Sequence, residues 1–151
     1  MSTETKDRIT CHVLDTTQGQ PARGMRVKLE LLSTHTPTPS TASSANLSTA
    51  PPPNNKVFES QTDDDGRIKA WLPYSSATSS GEVPVYTLED VLGGIAGESR
   101  WMLRFDSTGY FGGADRTFYP EVCVVFTVQE GERYHVPLLL APYGYTTYRG
   151  S

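Results

Sequence analysis

Met25-Arg26-Val27-Lys28-Leu29-Glu30-Leu31 alternates apolar and charged side chains without a break. Successive side chains of a strand point to opposite faces. Met25, Val27, Leu29 and Leu31 therefore line a core, while Arg26, Lys28 and Glu30 face water. The same period recurs toward both ends of the chain. In Ile9–Leu14, Ile9, Cys11 and Val13 face one way and Thr10, His12 and Leu14 the other. Val122, Val124, Phe126 and Val128 share a face, with Cys123 and Val125 on the reverse. Apolar character on both faces implies burial on both sides, as at a subunit contact. Val57–Thr62, Trp101–Asp106, Arg133–Ala141 and Tyr143–Tyr148 read as further strands, the last two separated by Pro142. Asp63-Asp64-Asp65-Gly66 is a tight acidic turn leading into Arg67–Leu72. Leu88–Ile95 is the one helical stretch, and Thr108–Thr117 reads as a Gly-rich connection. About eight short strands with turn signals between them predict an all-β antiparallel sandwich.

Composition agrees. The chain has 151 residues, enough for one domain. Of these, 24 are Gly or Pro, an excess that favours a loop-rich β domain over a helical bundle. A formal charge of -4 offers no electrostatic footprint for nucleic acid and no polybasic patch for a membrane surface. No apolar run approaches the ~20 residues of a membrane helix. Residues 1–8 are polar and mixed in charge, which reads as a flexible tail without a secretory signal. The domain then spans 9–151. Within it, 15 of the 24 residues from Ser33 to Lys56 are Ser, Thr or Pro, and none is aromatic. That stretch cannot bury enough apolar surface to offset its ordering entropy, and it reads as a disordered insertion at 33–56. Tyr74–Glu82 is a second Ser-rich loop. Cys11 and Cys123 are too few for a disulfide framework and read as two buried thiols.

Few residues carry chemistry by pattern alone. His35 falls in the Ser/Thr/Pro insertion. His12 and His135 lie in opposite terminal strands, each on the side away from the most apolar set, so both can line a polar groove. A lone strand histidine is more often solvent-facing or hydrogen-bonded than catalytic. No zinc spacing, calcium loop, phosphate loop or nucleophile elbow is present, so no metal or cofactor is expected. Arg67 offers a planar donor fork at the end of the acidic turn. The last ten residues hold three tyrosines and read as docked rather than frayed.

Four ordered motifs then point further. They are His12-Val-Leu-Asp-Thr with Gly19 and Pro21-Ala22, Asp65-Gly66-Arg67, Thr117-Phe-Tyr-Pro-Glu-Val122, and Tyr134-His-Val-Pro-Leu-Leu-Leu-Ala-Pro-Tyr-Gly-Tyr-Thr-Thr-Tyr-Arg-Gly-Ser151. Together they resemble the 5-hydroxyisourate hydrolases, the enzyme branch of the transthyretin-like family. The resemblance runs from about Ile9 to Ser151, interrupted by 33–56 and less distinctive over 74–98. Ala141 departs from it, since a serine is common before Pro-Tyr.

The resemblance implies a transthyretin-like sandwich of two four-stranded sheets with one short helix. It implies a homotetramer, a dimer of dimers, with sites in the channel at the dimer–dimer interface. The implied reaction is hydrolysis of 5-hydroxyisourate to 2-oxo-4-hydroxy-4-carboxy-5-ureidoimidazoline in urate catabolism, without an organic cofactor. It assigns catalytic roles to His12, Arg67, His135 and Ser151, and substrate binding to Arg67, Tyr148, Arg149, Gly150 and Ser151. An imidazole of pKa near 6.5 suits deprotonation of a water, and positive or donor groups suit the oxyanion. Which histidine is the base stays open at this point. The expected compartment is the cytoplasm, with the peroxisome as the alternative. A non-enzymatic carrier of small aromatic ligands in the same channel is the main rival; an extracellular adhesion-type sandwich is the second.

Overall fold

The computed structural model describes residues 6–35, 56–74 and 86–150. Residues 36–55, most of the insertion, lie outside the described residues, as do 75–85 and Ser151. The strands are β1 (Ile9–Asp15), β2 (Gln20–Pro21), β3 (Arg26–His35), β4 (Val57–Gln61), β5 (Arg67–Ile68), β6 (Leu72–Pro73), β7 (Glu98–Phe105), β8 (Val122–Val128), β9 (Tyr134–Ala141) and β10 (Gly144–Thr147). Two short helices, α1 (Leu88–Gly93) and α2 (Ser107–Phe111), and a 3-10 turn at Ala114–Arg116 complete the described structure. None of the described helices is long and apolar enough to cross a membrane.

Two sheets face each other. One has the order β10-β9-β1-β2, with β5 also pairing β1; the other has the order β6-β4-β3-β7-β8. Each therefore counts five strands rather than four, because the two-residue strands β2 and β6 extend the two four-stranded cores. The predicted alternation holds. Ile9, Cys11 and Val13 of β1 and Val136, Leu138 and Leu140 of β9 are buried against Val27, Leu29 and Leu31 of β3 and Trp101, Leu103 and Phe105 of β7. Trp71 closes one end, its indole N–H donating to the Ile9 carbonyl at 2.8 Å. Truncating any of these buried leucines costs about 2–5 kcal/mol, by lost transfer energy and the cavity left behind.

Several expectations need correction. The sandwich is not wholly antiparallel: β1 and β9 pair in parallel, from Ile9↔Tyr134 to Asp15↔Leu140. The predicted helix at Leu88–Ile95 is α1, held by a capping box between Thr87 and Asp90. The Gly-rich connection contains a second helix, α2. Asp106 caps its start by accepting the Gly109 N–H at 3.0 Å, and Gly112, left-handed at φ 91°, ends it. Ser33, Thr34 and His35 continue β3 rather than beginning the insertion. Asp7 and Arg8 are tied down: the Asp7 N–H donates to Lys69 O at 2.8 Å, Asp7 Oδ2 accepts the Trp71 N–H at 2.9 Å, and Arg8 pairs with Glu89. Cys11 is buried, but Cys123 is exposed. The reverse face of β8 is open in the single chain, with Val125 53% exposed.

Candidate active site

The ladder of β1 builds the site. Its antiparallel partner β5 sets Arg67 opposite His12. Its parallel partner β9 sets His135 opposite Thr10. Residues facing one another across a ladder project to the same side of a sheet. Thr10, His12, Arg67 and His135 thus share the outer face, while Cys11, Ile68 and Val136 between them fill the core. The two imidazole centroids lie 6.4 Å apart, with the rings tilted by 31°.

The backbone of Arg67 is held by the acidic turn. Asp63 Oδ1 accepts the N–H groups of Asp65 and Arg67, each at 2.9 Å, and the Gly66 N–H returns to Asp63 O at 2.9 Å. Gly66 has φ 75°, and a Cβ there would lie 2.4 Å from Val13 O. Only glycine brings this turn so close to β1, and the Val13 N–H donates to Gly66 O at 2.8 Å.

Thr10 Oγ1 lies 2.8 Å from His135 Nδ1 and 3.4 Å from the Tyr134 carbonyl. The chain end reaches the same histidine. Gly150 bridges to His135, its N–H donating to His135 O at 2.8 Å. A Cβ at Gly150 would sit 2.9 Å from His135 Cδ2 and 3.0 Å from Pro137 Cγ.

Both imidazoles are held below the ordinary histidine range. For His12 the cause is first desolvation and then the charge of Arg67, opposed by a hydrogen bond to the Asp65 backbone and by Asp63 and Asp65. For His135 it is desolvation, then Arg67, His12 and Lys6. Both rings are therefore neutral at pH 7, the state in which an imidazole accepts a proton.

His135 and Arg67 line a cleft of about 290 Å³ whose rim carries Lys6, Arg8, Lys69 and Arg133 against the single acid Asp7. His12 is not part of that lining. Tyr148 and Arg149 line a separate cleft of about 430 Å³ on the other side of His135, beside Val124 and Phe126. There the Arg149 guanidinium stacks over Tyr134 at 4.7 Å and lies 3.6 Å from Glu132. The structure thus gathers His12, Arg67, His135 and Gly150. It directs Tyr148 and Arg149 to a neighbouring cleft, and Ser151 lies outside the described residues. Sequence reading did not single out Thr10, Lys6, Lys69 or Arg133. The alternation that placed Thr10 beside His12 on the outer face was the one available signal.

Residues 9–150 match the HIUase/Transthyretin family. The chain belongs to this family. A curated relative from Schizosaccharomyces pombe, named as a probable 5-hydroxyisourate hydrolase, is 36% identical over 144 residues, covering 95% of this chain and 90% of its own. The structure of 5-hydroxyisourate hydrolase from Klebsiella pneumoniae superposes with a TM-score of 0.53 at 23% identity, over 96% of this chain and 100% of that one. At that identity the likeness bears on the fold alone. The crystal structure of (S)-allantoin synthase gives a TM-score of 0.62 at 27% identity; 98% of this chain spans 45% of that longer one.

Proposed function

We propose that this member of the family hydrolyses 5-hydroxyisourate to 2-oxo-4-hydroxy-4-carboxy-5-ureidoimidazoline in urate catabolism, by water that a histidine activates. The observation that carries the reading is the shared face of His12, Arg67 and His135, set by two ladder registers of one strand. Two neutral imidazoles in the field of the Arg67 cation suit the chemistry of a ring amide. One imidazole takes the proton of an attacking water. The Arg67 guanidinium holds the substrate's carbonyl edge and stabilises the oxyanion that attack creates. The basic rim of the cleft favours approach of an anionic heterocycle. The end Tyr148-Arg149-Gly150-Ser151 is assigned to substrate binding, and docking of Gly150 on His135 supports a fixed place for it. Ser151 would hydrogen-bond the substrate or a histidine.

The reading includes a homotetramer, a dimer of dimers, with sites in the channel at the dimer–dimer interface. Exposure of Phe118, Val125, Tyr143 and Tyr145 supports assembly, because a monomer would leave this apolar surface in water. Light scattering on the eluted protein reads the mass directly.

The decisive assay generates 5-hydroxyisourate with urate oxidase and follows its ultraviolet decay. Decay faster than the spontaneous rate, lost in His12→Ala and His135→Ala, is the expected result. A folded wild-type protein that leaves the decay at its spontaneous rate would replace this reading with that of a ligand carrier.

A further inference from the structure

We infer that Thr10 is a positioning residue that fixes the tautomer of His135 and thereby makes His135 Nε2 the base. The inference deepens the hydrolase reading and rests on it for the reaction, but not for the tautomer.

The argument begins with proton counting. A threonine hydroxyl has one hydrogen to donate and lone pairs to accept with, whereas a carbonyl oxygen only accepts. Thr10 Oγ1 faces two groups, the Tyr134 carbonyl at 3.4 Å and His135 Nδ1 at 2.8 Å. The inferred arrangement gives the hydroxyl hydrogen to the carbonyl, which can only accept, and leaves a lone pair for Nδ1. In that arrangement the 2.8 Å contact is an Nδ1–H donating to Thr10 Oγ1. In a neutral imidazole this leaves Nε2 unprotonated.

The surroundings favour the same tautomer. Arg67 and Lys6 act on the His135 ring as positive neighbours. A cationic neighbourhood favours a ring nitrogen that offers a lone pair over one that offers a second N–H. Nε2 has no hydrogen-bond partner among the described residues, yet no buried side-chain nitrogen or oxygen among them lacks one. Nε2 is thus accessible rather than buried. His12 has no hydroxyl partner of this kind among the described residues, whereas Arg67 acts on both rings.

The step then balances. A water oxygen bonds to the ring carbonyl carbon of the substrate, the C=O π pair moves to the carbonyl oxygen, and the water proton passes to Nε2. Thr10 Oγ1 accepts from Nδ1–H of the resulting imidazolium. Collapse re-forms the C=O bond and breaks the ring C–N bond, and the departing nitrogen takes the proton back from Nε2. The new carboxylic acid ionises to carboxylate.

Two measurements test this, and they fail separately. The first records long-range proton–nitrogen correlation spectra of uniformly nitrogen-15-labelled full-length protein at neutral pH, with the three rings assigned by loss of one set each in His12→Ala and His35→Ala. A protonated Nδ1 and a bare Nε2 for His135 are expected; an Nε2–H tautomer overturns the proposal, whatever the activity. The second compares Thr10→Val and Thr10→Ser in the decay assay. Thr10→Val is expected to lower kcat about 10-fold with KM changed less than about twofold, and to move the acid limb of the pH profile. Thr10→Ser is expected to restore kcat to within about threefold. Wild-type kcat and pH profile in Thr10→Val also overturn the proposal. A wild-type protein without hydrolase activity overturns the functional reading, and the spectrum still decides the tautomer.

Discussion

Gly66→Ala tests whether the acidic turn aims Arg67. The substitution adds one methyl group at φ 75°, 2.4 Å from Val13 O and 3.1 Å from Pro21 Cβ. The left-handed backbone alone costs an alanine about 1–2 kcal/mol. The methyl must also open the gap to Val13 O from 2.4 to at least 3.0 Å, about 0.6 Å, and the obstacle is backbone rather than a flexible side-chain end. That movement stretches the bond from the Val13 N–H to Gly66 O, which adds about 1 kcal/mol. The sum, about 2–3 kcal/mol, corresponds to a melting point lower by roughly 5–10 °C for a domain of this size. Gly19→Ala is the control. Its φ is 66°, but nothing lies within 4 Å of the added methyl, so it bears only the backbone term. The activity consequence separates the two further. A shift of 0.6 Å at Gly66 moves Arg67 relative to His12, and displacement on that scale costs roughly 10- to 100-fold in kcat/KM. Gly19→Ala is expected to retain wild-type kcat/KM. Calorimetry and the decay assay on both variants give the answer. Equal melting points in the two variants, or full kcat/KM in Gly66→Ala, would refute the claim that this close approach sets the site.

Four other outcomes follow from the geometry. Because burial and Arg67 hold both histidines below pH 6.5, kcat/KM should stay flat from pH 7 to 8 and fall only below the ordinary histidine range. Lys6→Gln removes a positive neighbour from His135 but not from His12, so proton NMR should show the His135 pKa rising while that of His12 stays. Gly150→Ala places a methyl 2.9 Å from His135 Cδ2; loss of the Gly150–His135 bond should lower kcat/KM about fivefold and leave the melting point within roughly 2 °C. Raising salt should lower kcat/KM more than kcat, by roughly threefold between low and physiological ionic strength, because the cleft rim carries an excess of positive charge; stopped-flow decay at several salt concentrations reads this.

Much of the fold was legible because one face of each long strand meets a core and the other meets water. Val27, Leu29 and Leu31 are buried as their alternation requires, and so are Ile9, Cys11 and Val13. The reverse face of β8, read as buried at a subunit contact, is uncovered within one chain, where Cys123 and Val125 are exposed. Helix α2 was hidden by Gly109, a poor helix former; the cap at Asp106 and the left-handed Gly112 make so short a helix tenable. The docking of Asp7 uses backbone and side-chain partners more than 60 residues away, which no local composition shows. Of the site, His12, Arg67 and His135 were legible through family motifs. Thr10 was not, because its role exists only once the register of β1 against β9 is known, 125 residues apart in the chain.

That register links stability to chemistry. Side chains alternate with period two, so slipping β9 by one residue against β1 would carry His135 into the core and Val136 to the outer face. Burying an imidazole in place of a valine, with Thr10 no longer opposite it, is strongly unfavourable. Burial of Val136, Leu138 and Leu140 therefore pins the same alignment that brings Nδ1 to Thr10. On the other side of β1 the constraint is different. Two residues of β5 cannot define a register through apolar burial alone, and Gly66 supplies the missing specification by letting the turn approach Val13 O. The sandwich itself would serve a carrier as well as an enzyme. The outer face of β1 distinguishes the two. A pocket for an apolar ligand has no need of a cation acting on two imidazoles and a hydroxyl oxygen 2.8 Å from one of them. Keeping Arg67, His12, Thr10 and His135 on one ladder face costs desolvation, visible as the depressed basicity of both rings. That cost has a rationale when a neutral imidazole must take a proton from water near pH 7.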